Sequence, residues 1–232
     1  EAALVSQLPV KPFNARQAAA IWKIDEVEAR KVLDGLASRA ILLDMPTRRG
    51  DTIYVLPPPM AGFFEFSMMR VRSDIDQKLL SELFYQYITV EEDFMRALLL
   101  DGETPLGRVF VNEPALEQTA AQSRPAVSLQ VLDYERASEV IHAAKHMGIS
   151  LCYCRHKKQH LAQACDKPLD ICMTFGGTAD SLIRHGYARR VDQIEGRDLL
   201  QKAYALNLVQ FGDNVREGGA FAVILVILFF YR

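Results

Sequence analysis

The four cysteines of this chain are crowded into one short stretch. Cys152, Cys154, Cys165 and Cys172 span 21 of the 232 residues, with the spacing C-x-C-x10-C-x6-C. Four thiolates that meet at one point form the ligand set of a four-coordinate metal ion or an iron–sulfur cluster. The segment that carries them must therefore fold back on itself, and this requirement constrains the C-terminal half of the chain.

Composition indicates a globular protein of a reducing compartment. Half of the residues are hydrophobic, 24% are charged, and the net charge of -2 gives no general attraction to nucleic acid or acidic membranes. Cysteines at metal-site spacing fit a reducing compartment better than a secreted disulfide scaffold, so we expect a cytoplasmic protein. The first residues, EAALVSQLPVKPF, also lack the basic start and apolar core of a signal peptide.

A continuous apolar run, FAVILVILFFY, occupies residues 221–231. A membrane-spanning helix needs about 20 such residues, so the run is too short to cross a membrane. We therefore predict no membrane span and interpret the run as a buried strand, covered by the core or by another subunit. The protein is accordingly expected to be a homo-oligomer or a subunit of a complex.

Residues 1–60 have the pattern of a winged helix. Asn14 and Asp25 are each placed to cap a helix, and a turn over residues 46–51 separates two short apolar segments. Helix, turn, helix and β-hairpin is the order of elements in that fold. Three prolines, Pro57 to Pro59, end the unit.

The rest of the chain is predicted as a helical connector, residues 61–125, followed by an α/β cluster-binding domain, residues 126–232. In the connector, residues 113–124 are polar and are expected to form an exposed loop or a domain boundary. In the last domain, 127–131 and 149–154 are predicted as strands, and Asp133 as the cap of the helix between them. The fold class is therefore α+β or α/β.

The spacing of the cysteines suggests how they converge. Alternation along a strand at 149–154 places Cys152 and Cys154 on one face. A short helix through Leu161 and Ala164 then delivers Cys165, and a loop returns Cys172. The spacing favours an iron–sulfur cluster over zinc, because structural zinc sites commonly use two C-x2–4-C pairs. Zinc held by four thiolates, or by three with His156 or His160, stays open as the alternative.

Positive charge surrounds the cysteines. Residues 150–190 contain seven basic and three acidic side chains, in a chain that is slightly acidic overall. Such charge favours thiolates and offsets the negative charge of a cluster. Four of the basic residues are predicted to dock an acidic redox partner such as a ferredoxin or flavodoxin: Arg155, Lys157, Lys158 and Lys167.

Several motifs together resemble the ferredoxin-type four-iron four-sulfur binding proteins of anaerobic bacteria and archaea. The motifs are LCYCRH at 151–156, Cys165, PLDIC at 168–172 and FGDN at 211–214, with PPPMAGFFEF at 57–66. The resemblance covers most of the chain and implies that the four cysteines hold one 4Fe-4S cluster. Relatives often continue into a cysteine-rich ferredoxin module, whereas this chain has no cysteine after Cys172.

The sequence supports three functions. The first is one-electron transfer through a 4Fe-4S cluster within a larger redox assembly. The second is a cluster-based redox- or oxygen-sensing transcriptional regulator, in which Arg48 and Arg49 would contact DNA; residues 1–60 hold eight basic and seven acidic residues, which makes nucleic-acid binding the weaker interpretation. The third is a zinc-stabilised structural or interaction protein. No phosphate-binding loop or nucleophile motif is present, so no catalytic residue is predicted.

Overall fold

The computed structural model describes residues 1–57, 62, 64–91, 93, 96–97, 107–122, 135–213 and 224–228. The described helices are α1 Ala2–Val5, α2 Ala15–Trp22, α3 Glu26–Ala37, α4 Gln77–Tyr85, α5 Glu113–Gln122, α6 Ala137–Ala143, α7 Tyr153–His160, α8 Gly176–Arg184 and α9 Gln193–Ala205. A π-helical turn, Gln86–Val90, continues α4. The described strands are β1 Phe13–Asn14, β2 Leu43–Pro46, β3 Thr52–Val55, β4 Gly107–Val109, β5 Met147–Leu151, β6 Asp170–Phe175, β7 Arg189–Val191, β8 Val209–Asp213 and β9 Ile224–Leu228.

Side-chain caps begin the two main helices of the N-terminal region. Asn14 accepts a hydrogen bond from the Gln17 backbone N–H, and the Gln17 side chain accepts one from the Asn14 N–H, which forms a capping box. The Asp25 carboxylate accepts hydrogen bonds from the first-turn N–H groups of α3. Both predicted caps are confirmed.

A three-stranded antiparallel sheet completes the N-terminal region, in the order β1-β3-β2. Its register pairs Tyr54 with Phe13 on one side and with Asp44 on the other. Tyr54 and Leu33 are fully buried in the core between this sheet and helices α2 and α3, and the Tyr54 hydroxyl donates to Asp34 at 2.6 Å.

The second sheet has six strands in the order β4-β8-β9-β6-β5-β7, and every described pairing in it is antiparallel. Antiparallel pairing identifies the fold as α+β rather than a parallel α/β arrangement. Strand β9 lies between β8 and β6. The apolar run at 221–231 is thus a strand over Ile224–Leu228, and its other residues lie outside the described part of the chain.

Three further predictions concern residues 113–133. The loop predicted at 113–124 is wrong, because Glu113–Gln122 is helical; the Glu113 carboxylate accepts hydrogen bonds from the Ser138 N–H and hydroxyl, which anchors this helix to α6. The strand predicted at 127–131 and the cap Asp133 lie outside the described residues.

One hydrophobic core joins the N-terminal strands to the cysteine region. It contains Leu43 and Val55 from β2 and β3, together with Cys152 and Cys172. Phe66, Met68 and Met69, which follow the N-terminal region in the chain, fill the space between them. The hairpin β2-β3 and the segment that carries Cys152 and Cys172 are therefore parts of one packed body. No helix in the described part of the chain is both long and apolar enough to span a membrane.

Candidate metal centre

One cysteine lies in strand β6 of the larger sheet, and the other three lie in the helix and loop that connect β5 to β6. Cys152 is the N-cap of α7, and Cys154 lies in the first turn of that helix. Cys165 lies in the loop that follows α7, and Cys172 lies within β6.

Three details of the predicted arrangement are therefore wrong. The strand ends at Leu151, so Cys152 and Cys154 are held by a helix start and not by strand alternation. The helix precedes Leu161 rather than running through it. Cys172 comes from a strand rather than a loop.

Local hydrogen bonds explain why the strand stops there. The ladder between β5 and β6 is irregular at Ser150 and Leu151, and the Leu151 N–H donates to the Met69 carbonyl at 3.1 Å instead of continuing regular pairing. The Cys152 N–H then donates to the Leu169 carbonyl at 2.6 Å. The chain leaves the sheet at this point, and Cys152 begins the helix.

The thiols interact with each other. All four cysteines are described, and no disulfide joins them. Cys152 and Cys172 are fully buried, while Cys154 and Cys165 are half-buried. Hydrogen bonds from the Cys154 and Cys172 thiols lower the pKa of Cys152, and the Arg155 charge adds to the effect.

The pKa values of the neighbouring thiols, Cys154 and Cys172, shift in the opposite direction. Burial raises the pKa of Cys154, and the bond it donates to Cys152 raises it further. For Cys172 the hydrogen bond to Cys152 is the larger cause, followed by burial. These shifts favour the thiolate form of Cys152 over those of Cys154 and Cys172, and the N-terminal end of α7 adds to its stabilisation.

The Arg155 guanidinium is buried beside the cysteines. The residue is only 4% exposed, and its three guanidinium nitrogens have no oxygen or nitrogen acceptor among the described residues. Burial alone would lower the pKa of Arg155, but the charge of Cys152 and a hydrogen bond to its sulfur, followed by the charges of Cys165 and Cys172, raise it. A buried cation whose acceptor is one cysteine sulfur is costly, and an anionic group held by these three cysteines would compensate it.

Two further ionisable residues near the cysteines were missed in the sequence. Glu65 is 4% exposed, and its charge raises the pKa of both Cys154 and Cys172. Tyr153 is buried, and burial followed by the Cys154 charge raises its pKa. Both residues lie within motifs quoted above, at 57–66 and 151–156, but those motifs gave neither of them a role, and Glu65 reaches the site only through tertiary packing.

The predicted docking surface needs correction. Arg155 and Lys157 are 4% and 7% exposed, so they cannot form the exposed contact predicted for them. Burial lowers the pKa of Lys157, and the charge of the nearby Cys154 partly offsets this decrease. Lys158 and Lys167 are half-buried, and their ammonium groups contact Gln163 and Asp166 at 3.0 and 3.5 Å.

The histidines beside the cysteines have structural contacts. His156 is buried, and its Nδ1 lies 2.7 Å from the Met68 carbonyl. Its ring packs against that of His160, with centroids 4.9 Å apart. These contacts hold α7 against the segment that contains Met68.

Arg48 and Arg49 lie apart from the cysteines. Both are exposed in the turn between β2 and β3, where they line a shallow depression of about 450 Å³ with Asn14 and Gln17.

No group of three or more His, Cys, Asp or Glu side chains in the described ranges is already arranged to hold a metal ion. No protein-family model, no curated protein and no solved structure matches the chain.

Proposed function

We propose that the four cysteines hold one 4Fe-4S cluster and that the protein transfers single electrons within a larger redox assembly. The observation that carries this proposal is the buried Arg155 guanidinium, which faces three of the cysteines and has no other acceptor among the described residues. A cluster supplies one-electron redox chemistry and offers sulfide as well as thiolate sulfurs as acceptors.

The chain contributes to such a centre in three ways. The thiolate character of Cys152 provides a first ligand, because a thiolate, not a thiol, binds metal. Burial of Cys152 and Cys172 excludes water from one side. Arg155 and the N-terminus of α7 then compensate negative charge.

The N-terminal region supports a role in assembly. Two capped helices followed by the β2-β3 hairpin agree with a winged helix, and we propose that this unit docks a protein. Its basic and acidic residues are nearly equal in number, and it shares a core with the cysteine region. Both features support protein docking over DNA binding. An acidic redox protein is still the proposed partner, with Lys158 and Lys167 as the remaining candidate contacts.

Zinc is the second candidate, and one observation favours it. The Cys152 sulfur is close enough to those of Cys154 and Cys172 for hydrogen bonds. Four thiolates around a tetrahedral zinc ion, with Zn–S bonds of about 2.3 Å, have similarly short sulfur–sulfur distances. A zinc centre would stabilise the fold without redox activity.

Metal analysis of protein purified without oxygen distinguishes the two. We expect about four irons and four sulfides per chain, a brown colour and an electron paramagnetic resonance signal on reduction. Cys154→Ser should lose or degrade the cluster, while His146→Gln serves as a control, because His146 contacts Asp180 and not the cysteines. Stoichiometric zinc without sulfide would overturn the proposal.

A further inference from the structure

Ser150 lies directly opposite Cys172 in the larger sheet. The β5-β6 register pairs Ser150 with Cys172, and the next pair on the same face is Gly148 with Thr174. Residues directly opposite each other in an antiparallel pair point to the same face, with Cβ atoms about 4.5–5.5 Å apart. A rotation of the Ser150 side chain about its Cα–Cβ bond can thus bring the hydroxyl next to the Cys172 sulfur.

The Ser150 hydroxyl is buried without a partner. Ser150 is 5% exposed, and its Oγ has no hydrogen bond within the described residues. Two other buried serine hydroxyls are satisfied: Ser81 donates to the Gln77 carbonyl at 2.6 Å and Ser181 donates to Asp44 at 2.6 Å. Because buried polar groups are nearly always paired, the free Ser150 hydroxyl is available to an acceptor that forms in the functional state.

We propose that Ser150 donates a hydrogen bond to the Cys172 sulfur when that sulfur is a metal-bound thiolate, and that this bond sets the reduction potential of the centre. The inference rests on the proposed function, because it needs a redox-active cluster. A thiolate is a far better acceptor than a thiol, which gives the hydroxyl a reason to rotate only in the loaded protein.

The direction of the effect follows from charge. Reduction adds one electron to the cluster, so the thiolate sulfurs become more negative and accept hydrogen bonds more strongly. The Ser150 hydrogen bond therefore stabilises the reduced state more than the oxidised one and raises the potential. Ser150 is a positioning and tuning residue, not a ligand.

The test is a redox titration of anaerobically prepared Ser150→Ala, Ser150→Thr and Ser81→Ala, each compared with the unmodified protein. Ser150→Ala should lower the reduced-to-oxidised ratio at a fixed potential by roughly tenfold, which is about 59 mV for a one-electron couple. Ser150→Thr keeps the hydroxyl and should retain most of the potential. Ser81→Ala removes another buried Ser hydroxyl and should leave it unchanged.

Iron and sulfide content separates the two ways to fail. If the unmodified protein binds no iron and sulfide, the proposed function fails and this inference fails with it. If Ser150→Ala holds a full cluster at an unchanged potential, only the hydrogen bond is refuted.

A measurement on the unmodified protein covers the case in which Ser150→Ala does not load. Vibrational frequencies of the iron–cysteine bonds should shift when the solvent is changed to deuterium oxide, because the donated proton exchanges. The absence of such a shift would also overturn the inference.

Discussion

The Arg184 guanidinium contacts Asp44 twice, with the same nitrogen 2.7 Å from the carboxylate and 3.1 Å from the backbone carbonyl. The same carboxylate accepts a hydrogen bond from Ser181 at 2.6 Å and lies 3.1 Å from the His185 Nε2. Asp44 belongs to β2, and its three partners belong to α8 or follow it directly. Helix α8 begins where the cysteine-bearing strand β6 ends, so this network ties the N-terminal hairpin to the candidate metal centre.

Asp44→Ala should destabilise the protein by about 2–4 kcal/mol, because it leaves Ser181 and the Arg184 charge without their buried acceptor. Chemical denaturation measures the loss. Asp51→Ala is the matched control, since Asp51 is exposed in the adjoining turn and should change stability by less than about 0.5 kcal/mol. Equal losses in the two variants would show that the network contributes nothing specific.

Protonation of the Asp44 carboxylate should also lower the stability of the protein in acid. Burial by itself raises the pKa of Asp44, but the hydrogen bond from Ser181 and the charges of His185 and Arg184 outweigh it and hold the pKa below its ordinary value. The stabilisation is therefore complete above the unfolded-state pKa, about 3.9, and is lost as pH falls through the lower folded-state value. Denaturation curves between about pH 6 and pH 2 should show a smaller acid loss in Asp44→Asn than in the unmodified protein.

Gly148→Ala should destabilise the sheet beside Ser150 by about 1–3 kcal/mol. A Cβ at position 148 would lie 3.0 Å from the Ala188 Cβ and 3.3 Å from the Ile183 Cγ1, and neither neighbour can easily retreat. Gly35→Ala is the control and should have the opposite sign, because Gly35 lies in helix α3 and no atom lies within 4 Å of the added Cβ. It should stabilise the protein by about 0.5–1 kcal/mol, measured by thermal or denaturant unfolding. A neutral Gly148→Ala would mean that the sheet is less tightly packed than described.

Arg155→Gln should reduce metal loading, because it removes the cation that faces three cysteines. Arg155→Lys keeps the charge and should retain part of the loading. Arg197→Gln is the comparison, since Arg197 is exposed on α9. Iron and sulfide analysis of the three variants measures the effect, and equal loading in all three would remove Arg155 from the site.

The N-terminal unit should show no sequence-preferring DNA binding at physiological salt. Electrophoretic mobility or anisotropy measurements over a range of DNA sequences check this expectation. A nanomolar, sequence-specific complex that weakens in Arg48→Ala and Arg49→Ala would favour the transcriptional regulator instead.

The sequence predicted features that depend on local chemistry. Asn14 and Asp25 cap their helices because capping needs only a side chain and the next three residues.

Features set by tertiary contacts were not predictable in the same way. Cys154 was predicted on a strand, yet the hydrogen bond between Leu151 and Met69 ends that strand earlier. Arg155 and Lys157 were predicted to be exposed because charged residues usually are, and only the packed structure buries them. Glu65 could not be connected to the cysteines, since 87 positions of sequence separate it from Cys152.

The core that contains Leu43, Val55, Cys152 and Cys172 has a consequence for how this protein can be divided. A fragment that ends near residue 57 would expose Leu43 and Val55 to water, and the remaining fragment would lose the apolar cover over two cysteines. The N-terminal helices and the cysteine region are thus poor candidates for exchange as separate modules between proteins. Because the hairpin packs against residues about 100 positions later in the chain, the effect of a substitution in the hairpin should depend on the side chains next to the cysteines.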